Sequence, residues 1–204
     1  MRHPGWLAAL GAAALLLAGC GGTSGPAGLT GRVCLSRLAA QDVVYRPLDS
    51  VDAASPRCQV DTAVRVSRVE AGLNHPAVMS CALASRLNEF EREVVQPLAA
   101  AELGRRVVRI NHLGSFSCRA INGGSRLSQH ALGRAIDLAG FRLSDGSTVS
   151  VERDWAAPGP KRLFLRRLAR RACGYFSVVL TPDSNAEHSN HIHLDIGPER
   201  LCSV

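Results

Sequence analysis

The sequence predicts an α+β domain in which helices flank a mainly antiparallel sheet. Three observations carry that expectation. Short alternating apolar runs recur between turn residues, two longer stretches have helical period, and strands and helices are mixed along the chain without a regular βαβ repeat. From the amino-terminal side, residues 31–60 are mixed, with Pro47 and Pro56 implying loops and a short strand around Val43–Tyr45. Thr62 to Val69 alternates as a strand does. Pro76 to Val95 reads as a helix with Met79, Leu83, Leu87 and Phe90 on one face and Pro97 closing it. Val107 to Ile110 is a strand. Ala135–Phe141 and Thr148–Val151, joined through Ser144-Asp145-Gly146-Ser147, form a hairpin. Pro160 to Cys173 is a basic amphipathic helix, Ser177–Leu180 a strand and His191–Ile196 the last strand.

Two of these strands carry polar residues where burial would forbid them. Strand side chains alternate between faces, so Ile192, Leu194 and Ile196 share one face while His191, His193 and Asp195 share the other. Ile136 and Leu138 likewise leave Asp137 on the opposite side among alanines. An ionised Asp in an apolar strand is costly unless it is paired or metal-bound, and the imidazoles supply what such a site needs. His130 lies upstream. In one extended strand it would stand roughly 23 Å from Asp137 and on the other face, so both reach one ion only if the chain turns between them. Gly133 permits that turn, and Ala131 and Ala135 keep it narrow. Two imidazoles and a carboxylate suit Zn²⁺ with one position left open for water. From the residues alone, His191 and His193 are equally placed to be the second imidazole ligand.

The chain opens with Arg2 and His3, an apolar run from Trp6 to Leu17, and then Leu17-Ala18-Gly19-Cys20. That is the pattern of a secretory signal, and the run is short of the roughly 20 apolar residues a membrane-spanning helix needs. The four residues resemble a bacterial lipobox. The expected organisation is therefore a signal peptide over residues 1–19, a flexible tether over 20–30 starting at a lipidated Cys20, and one domain over 31–204. Six cysteines besides Cys20 read as three disulfides of an oxidising compartment. Proximity of the expected elements suggests Cys34–Cys58, Cys81–Cys118 and Cys173–Cys202. The net charge of +7 is almost wholly arginine, and aromatics are too sparse for a base-stacking platform, so nucleic acid is not an expected partner. Anionic cell-wall peptides or lipid surfaces fit an exported chain better. The arginines of 161–172 read as a solvated helix face.

Ser128-x-His130-x-x-Gly133-x-Ala135-x-Asp137, followed by His191-x-His193, resembles the zinc peptidase superfamily of D-alanyl-D-alanine carboxypeptidases, murein endopeptidases and Hedgehog-like domains. More closely, the chain is similar to bacterial extensin-like C-terminal domains. That likeness includes Gly114–Arg119, Arg126–Phe141, Asp154-Trp155, Cys173–Phe176 and His188-x-x-His191-x-His193-Leu194-Asp195. The resemblance implies a Hedgehog/D-Ala-D-Ala-peptidase-like fold. It implies zinc held by His130, Asp137 and His193, His191 or His188 as general base or transition-state stabiliser, and Arg119 as the cation for a substrate carboxylate or oxyanion. Glu187 stands six positions before His193, away from the offset at which some carboxypeptidases place a base, and no role is transferred to it. Ser128 is read as a turn cap or an aid to the metal site. Asp195 is read as a support for a ligand histidine or as a surface ion-pair partner. His75 and His112 are read as ordinary loop or strand-end residues. The expected function is a lipid-anchored zinc peptidase at the periplasmic face of the inner or outer membrane, cutting amide bonds next to D-amino acids in peptidoglycan stem peptides or crosslinks. The competing expectations are a zinc-stabilised module that binds peptidoglycan without cutting it, and a structural cell-envelope lipoprotein in which the histidine cluster holds no metal.

Overall fold

The computed structural model describes residues 26–122 and 124–204, together with Met1. The signal-peptide reading and Cys20 lie outside the described residues. Among the described residues, nine strands form one sheet: β1 (Val44–Pro47), β2 (Ala63–Arg68), β3 (Gly72–Ser80), β4 (Val107–Gly114), β5 (Ala135–Leu143), β6 (Thr148–Ser150), β7 (Val178–Leu180), β8 (Ile192–Asp195) and β9 (Leu201–Ser203). Their spatial order is β1-β2-β3-β4-β5-β8-β7-β9, with β6 paired to the far half of β5. The β3–β4 and β7–β9 pairs are parallel and the other pairs antiparallel. The fold is α+β with a mainly antiparallel sheet, as its sequence predicts.

The helices are α1 (Pro26–Ala39), α2 (Cys81–Phe90), α3 (Gln96–Leu103), α4 (Val151–Asp154) and α5 (Pro160–Ala172). Their apolar faces meet one face of the sheet in a single core. Val64, Val66, Met79, Ile110, Leu138 and Phe141 come from strands, and Leu83, Leu87, Phe90, Phe164 and Leu168 from helices. The opposite face is left open and carries Arg65, Arg109, Asp137, Arg142 and His193, which are exposed or half-buried.

Three expectations are corrected. Pro76–Ser80 is the end of β3 and not the start of a helix, because Ala77 and Met79 alternate inward with Val78 half-buried between them. The following helix does not stop at Pro97. A π-helical turn over Glu91–Val95 hands over to α3, so Pro97 falls at the start of a helical segment, where its missing N–H costs little. Finally, Pro26–Ala39 is helical, overlapping the stretch read as a tether and as mixed loop.

The cysteine pairing also differs in two of its three bridges. Cys34 joins Cys81, Cys58 joins Cys118, and only Cys173–Cys202 is as expected. Cys34–Cys81 ties α1 to the start of α2. Cys58–Cys118 ties the loop before β2 to the segment leading from β4 to the site. Sequence proximity misled here because the sheet order brings β2, β3 and the 115–132 segment together. On α5 the arginines behave as a solvated face: Arg166 pairs with Asp183 and stacks over Trp155, Arg167 pairs with Glu102, and Phe164, Leu165 and Leu168 are buried beneath.

The π turn buries a carboxyl. Glu91 is wholly inaccessible, accepts the Ala71 N–H with both oxygens (2.9 and 3.0 Å) and takes a third hydrogen bond from Gln96 Nε2 at 3.1 Å. Gln96 in turn bonds the backbone of Val107, so the group stitches the helix to β4. Burial pushes the Glu91 carboxyl up from 4.5 to about 7, against the hydrogen bonds that favour its charged form. The folded state therefore holds a proton that the unfolded state has lost between those values, and stability falls as pH rises through that window. The difference corresponds to on the order of 3 kcal/mol. Urea titrations from pH 4.5 to 8 should show that loss for the native chain, and Glu91→Gln should remove this part of the slope.

Candidate metal centre

The turn anticipated between His130 and Asp137 is present and well determined by its residues. Ser128 Oγ accepts the His130 N–H at 3.3 Å and caps a 3₁₀ turn over Gln129–Leu132. Gly133 ends that turn with φ of 61°. A Cβ at Gly133 would stand 2.7 Å from Val60 Cγ1 and 3.0 Å from the Ser80 nitrogen, and the Gly133 carbonyl already accepts the Ser80 N–H at 2.8 Å. Glycine is thus required both for backbone handedness and for close approach to the end of β3. The chain then enters β5, whose Asp137 is in register with His193 of β8. Cross-strand partners share a face, so the sheet itself brings this carboxylate and imidazole together.

His130, Asp137 and His193 converge. Asp137 Oδ1 lies 2.9 Å from His193 Nδ1 and 3.2 Å from His130 Nε2, and those two nitrogens are 3.2 Å apart. Outer partners set the protons. His130 Nδ1 lies 2.6 Å from the Ser115 carbonyl, which only accepts, so this nitrogen carries the hydrogen and Nε2 turns a lone pair inward. His193 Nε2 lies 3.3 Å from Asp195 Oδ2, which leaves Nδ1 facing Asp137. Asp195 is only 5% exposed and also accepts the Gly197 N–H at 2.8 Å, so it orients His193 and is not a surface ion-pair partner. Three acceptor atoms thus face one another, an arrangement that is repulsive unless a positive charge lies among them.

The electrostatics of these groups agree. Burial favours the neutral form of Asp137, but the His130 and His193 hydrogen bonds and charges outweigh it and hold the carboxyl well below its usual range. Burial pulls His193 down, yet Asp137 and Asp195 overcome that and push it up to about 9. The donor set fits zinc as well: ligands about 2.0–2.1 Å from a tetrahedral ion stand ~3.3 Å from one another, close to the three separations found.

The remaining predicted residues surround this cluster. His191 Nε2 is 3.5 Å from Asp137 Oδ1, and its Nδ1 bonds Asn190 Oδ1 at 2.8 Å. His188 Nδ1 bonds Asn185 Oδ1 at 2.7 Å, and its ring lies 5.0 Å from that of His191. Burial, then the neighbouring imidazoles, lower His188; burial is also the main cause lowering His191, with Asp137 opposing. Arg119 is exposed at the rim, and its guanidinium has no hydrogen-bond or carboxylate partner among the described residues. Glu187 is exposed but contacts Asn122 across the rim. A hollow of about 290 Å³ lined by Arg119, His130, Asp137, Glu187, His188, His191 and His193 opens onto a cleft of about 510 Å³, walled on its apolar side by Ile121, Leu127, Leu180 and Leu201.

The match to known families is to the model for the extensin-like protein C-terminus, over residues 32–203. The chain belongs to the extensin-like C-terminal family. No curated protein and no solved structure matches it. In this extensin-like chain the whole cluster, from Ser115 to Asp195, falls inside the matched span.

Two contributors were not legible in the sequence. Ser115 acts through its carbonyl, which every residue has, and its Oγ also donates to the Ala135 carbonyl at 2.7 Å. His112 is not an ordinary strand-end residue: it is 2% exposed in β4, bonds the His75 carbonyl through Nε2 and packs on the His75 ring at 4.1 Å. No residue spacing announces either contact.

Gly133→Ala should destabilise the fold by about 1–2 kcal/mol for the left-handed backbone alone, with the Val60 overlap in addition, as read from denaturant midpoints. Asp195→Asn should leave the fold intact and weaken zinc affinity by about 10–100-fold, measured by competition with a chromophoric chelator.

Proposed function

We propose that this protein is a zinc-dependent peptidase of the cell envelope that hydrolyses amide bonds next to D-amino acids in peptidoglycan. The observation that carries the reading is the convergence of His130, Asp137 and His193 at the floor of a cleft, with an unpaired arginine and two further imidazoles on its walls. The likeness of the Ser128–Asp137 and His191–His193 motifs to the zinc peptidase superfamily supports the same chemistry, and the three disulfides and export-type amino terminus agree with a periplasmic address.

His130, Asp137 and His193 would hold the ion, and Ser115 and Asp195 keep the two imidazoles in the tautomers that can bind it. A bound zinc supplies a Lewis acid that acidifies water toward neutral pH and polarises a carbonyl. The rest falls to the chain. His191 carries its proton on Nδ1, bonded to Asn190, so Nε2 is an acceptor facing the cluster. It takes the proton of the attacking water as the C–O bond forms, then delivers a proton to the departing amine as the C–N bond breaks; the products are a carboxylate and an amine. His188, beside it, is placed to hold the scissile carbonyl or to share the proton. Arg119, free at the rim, can grip a substrate carboxylate with paired N–H groups. Glu187 lines the same hollow but is bonded to Asn122, and no proton transfer is assigned to it.

Purified muropeptides incubated with the zinc-loaded protein should yield fragments carrying new amines by mass spectrometry. Asp137→Ala should abolish the products, and His191→Ala should slow them by about 10²–10⁴-fold. Zinc binding at one equivalent with no fragment from any muropeptide would instead identify a binding module stabilised by the metal.

A further inference from the structure

The face of the sheet that the helices leave open is basic in a patterned way. Arg46 stands directly opposite Arg65 on β1 and β2, and Arg109 directly opposite Arg142 on β4 and β5. Arg68, Gly72, Arg109 and Arg142 also form one row across β2, β3, β4 and β5, each the register partner of the next. All five arginines are exposed. None of them has a carboxylate or other hydrogen-bond partner among the described residues. Arg105, Arg106, Arg126, Arg166 and Arg167 each meet an Asp or Glu, whereas Arg162, Arg170 and Arg171 on the solvated face of α5 meet none among the described residues; what sets the sheet arginines apart is that they are register partners on one face.

Like charges directly opposite each other destabilise an antiparallel pair. Two such pairs on one face carry a cost that nothing within the described chain offsets. An anion laid between the guanidiniums would offset it, and arginine's planar fork suits a carboxylate in particular. Gly72 contributes no side chain between Arg68 and Arg109. A shallow depression of about 300 Å³ lies beside Gly72, lined by Arg68, Glu70, Gly72, Arg106 and Val108, with Glu70 paired to Arg106.

This row shares its face with the metal cluster. Ile136 and Leu138 point into the core, which leaves Asp137 on the open side. A register irregularity near Ala139 and Gly140 shifts the alternation, so Phe141 and Leu143 point inward and Arg142 returns to the side of Asp137. The separation of Asp137 and Arg142 along β5 is roughly 15 Å. From Arg68 to Arg142 the row crosses three strand spacings, ~14 Å. A row of this breadth, with exposed charges at intervals, matches an extended polyanion better than a small enclosed anion.

We infer that the Arg68–Arg109–Arg142 row is a docking surface for the stem-peptide carboxylates of polymeric peptidoglycan, holding the sacculus while one of its peptides lies at the His130–Asp137–His193 cluster. This inference rests on the peptidoglycan reading above, and its test is independent of cleavage. The full-length protein is sedimented with purified sacculi in the presence of a chelator, which removes any hydrolysis. Arg109→Gln combined with Arg142→Gln should weaken adsorption by about tenfold or more. Raising the salt should do the same to the native chain, as should capping the sacculus carboxyls as amides. Arg68→Gln, on a different strand, should give a smaller loss in the same direction. Thermal melts should show the double variant at least as stable as the native protein, since a like-charge pair has been removed. Adsorption of the double variant equal to native, or equal binding to amidated sacculi, overturns the inference. Binding to phosphatidylglycerol vesicles that needs Arg109 and Arg142, with no binding to sacculi, overturns it in favour of a lipid occupant. Arginine-dependent adsorption by a protein that cuts no muropeptide upholds the docking surface and removes only the peptidase.

Discussion

Three electron-rich atoms held within 2.9–3.2 Å of one another define this molecule. Asp137 Oδ1, His130 Nε2 and His193 Nδ1 repel unless a positive charge lies among them, and the surrounding structure prevents them from separating. The Ser115 carbonyl holds His130 from behind, Asp195 holds His193, and the β5–β8 register holds Asp137 against His193. The rigidity has a purpose in energetic terms. A cation entering this site needs little rearrangement of its ligands, so little of its binding energy is consumed in organising them.

The sheet supplies that rigidity through an unequal division of its faces. One face is sealed by α1, α2, α3 and α5 in a continuous apolar core. The other face is free of packing duties and carries the polar groups. β5 serves both: Ile136 and Leu138 anchor it from one side while Asp137 works on the other. Gly140, with φ of 157° and the Val149 carbonyl oxygen only 2.1 Å from where a Cβ would be, marks where the strand changes its alternation. The metal cluster and the arginine row are thereby brought to one surface without sharing any side chain.

The disulfides bear on the same region. Cys58–Cys118 fixes the loop that leads from β4 through Arg119 to Ser128, which has little regular structure of its own and forms the rim of the cleft. Each native bridge in an exported domain is typically worth about 2–4 kcal/mol. Here the more specific consequence is positional, since the rim residues Arg119 and Asn122 follow the bridge directly.

The sequence by itself determined the class of fold and the strand faces on which the polar residues lie. Alternation along residues 135–141 and 191–196 was enough to put Asp137 and the histidines on the faces opposite the apolar residues, because strand geometry has a period of two and a buried unpaired carboxylate is costly. Gly133 announced a turn because few residues other than glycine take up that backbone. What the tertiary structure decided was everything that depends on which distant segments are neighbours. The β5–β8 register set His193 directly opposite Asp137, the packing of Asp195 against His193 gave it an orienting role, and the order of the strands set which cysteines meet. Pro76–Ser80 became a strand because β2 was there to pair with it. Local patterns state what a segment prefers; only the assembled sheet supplies the partner that makes one preference prevail.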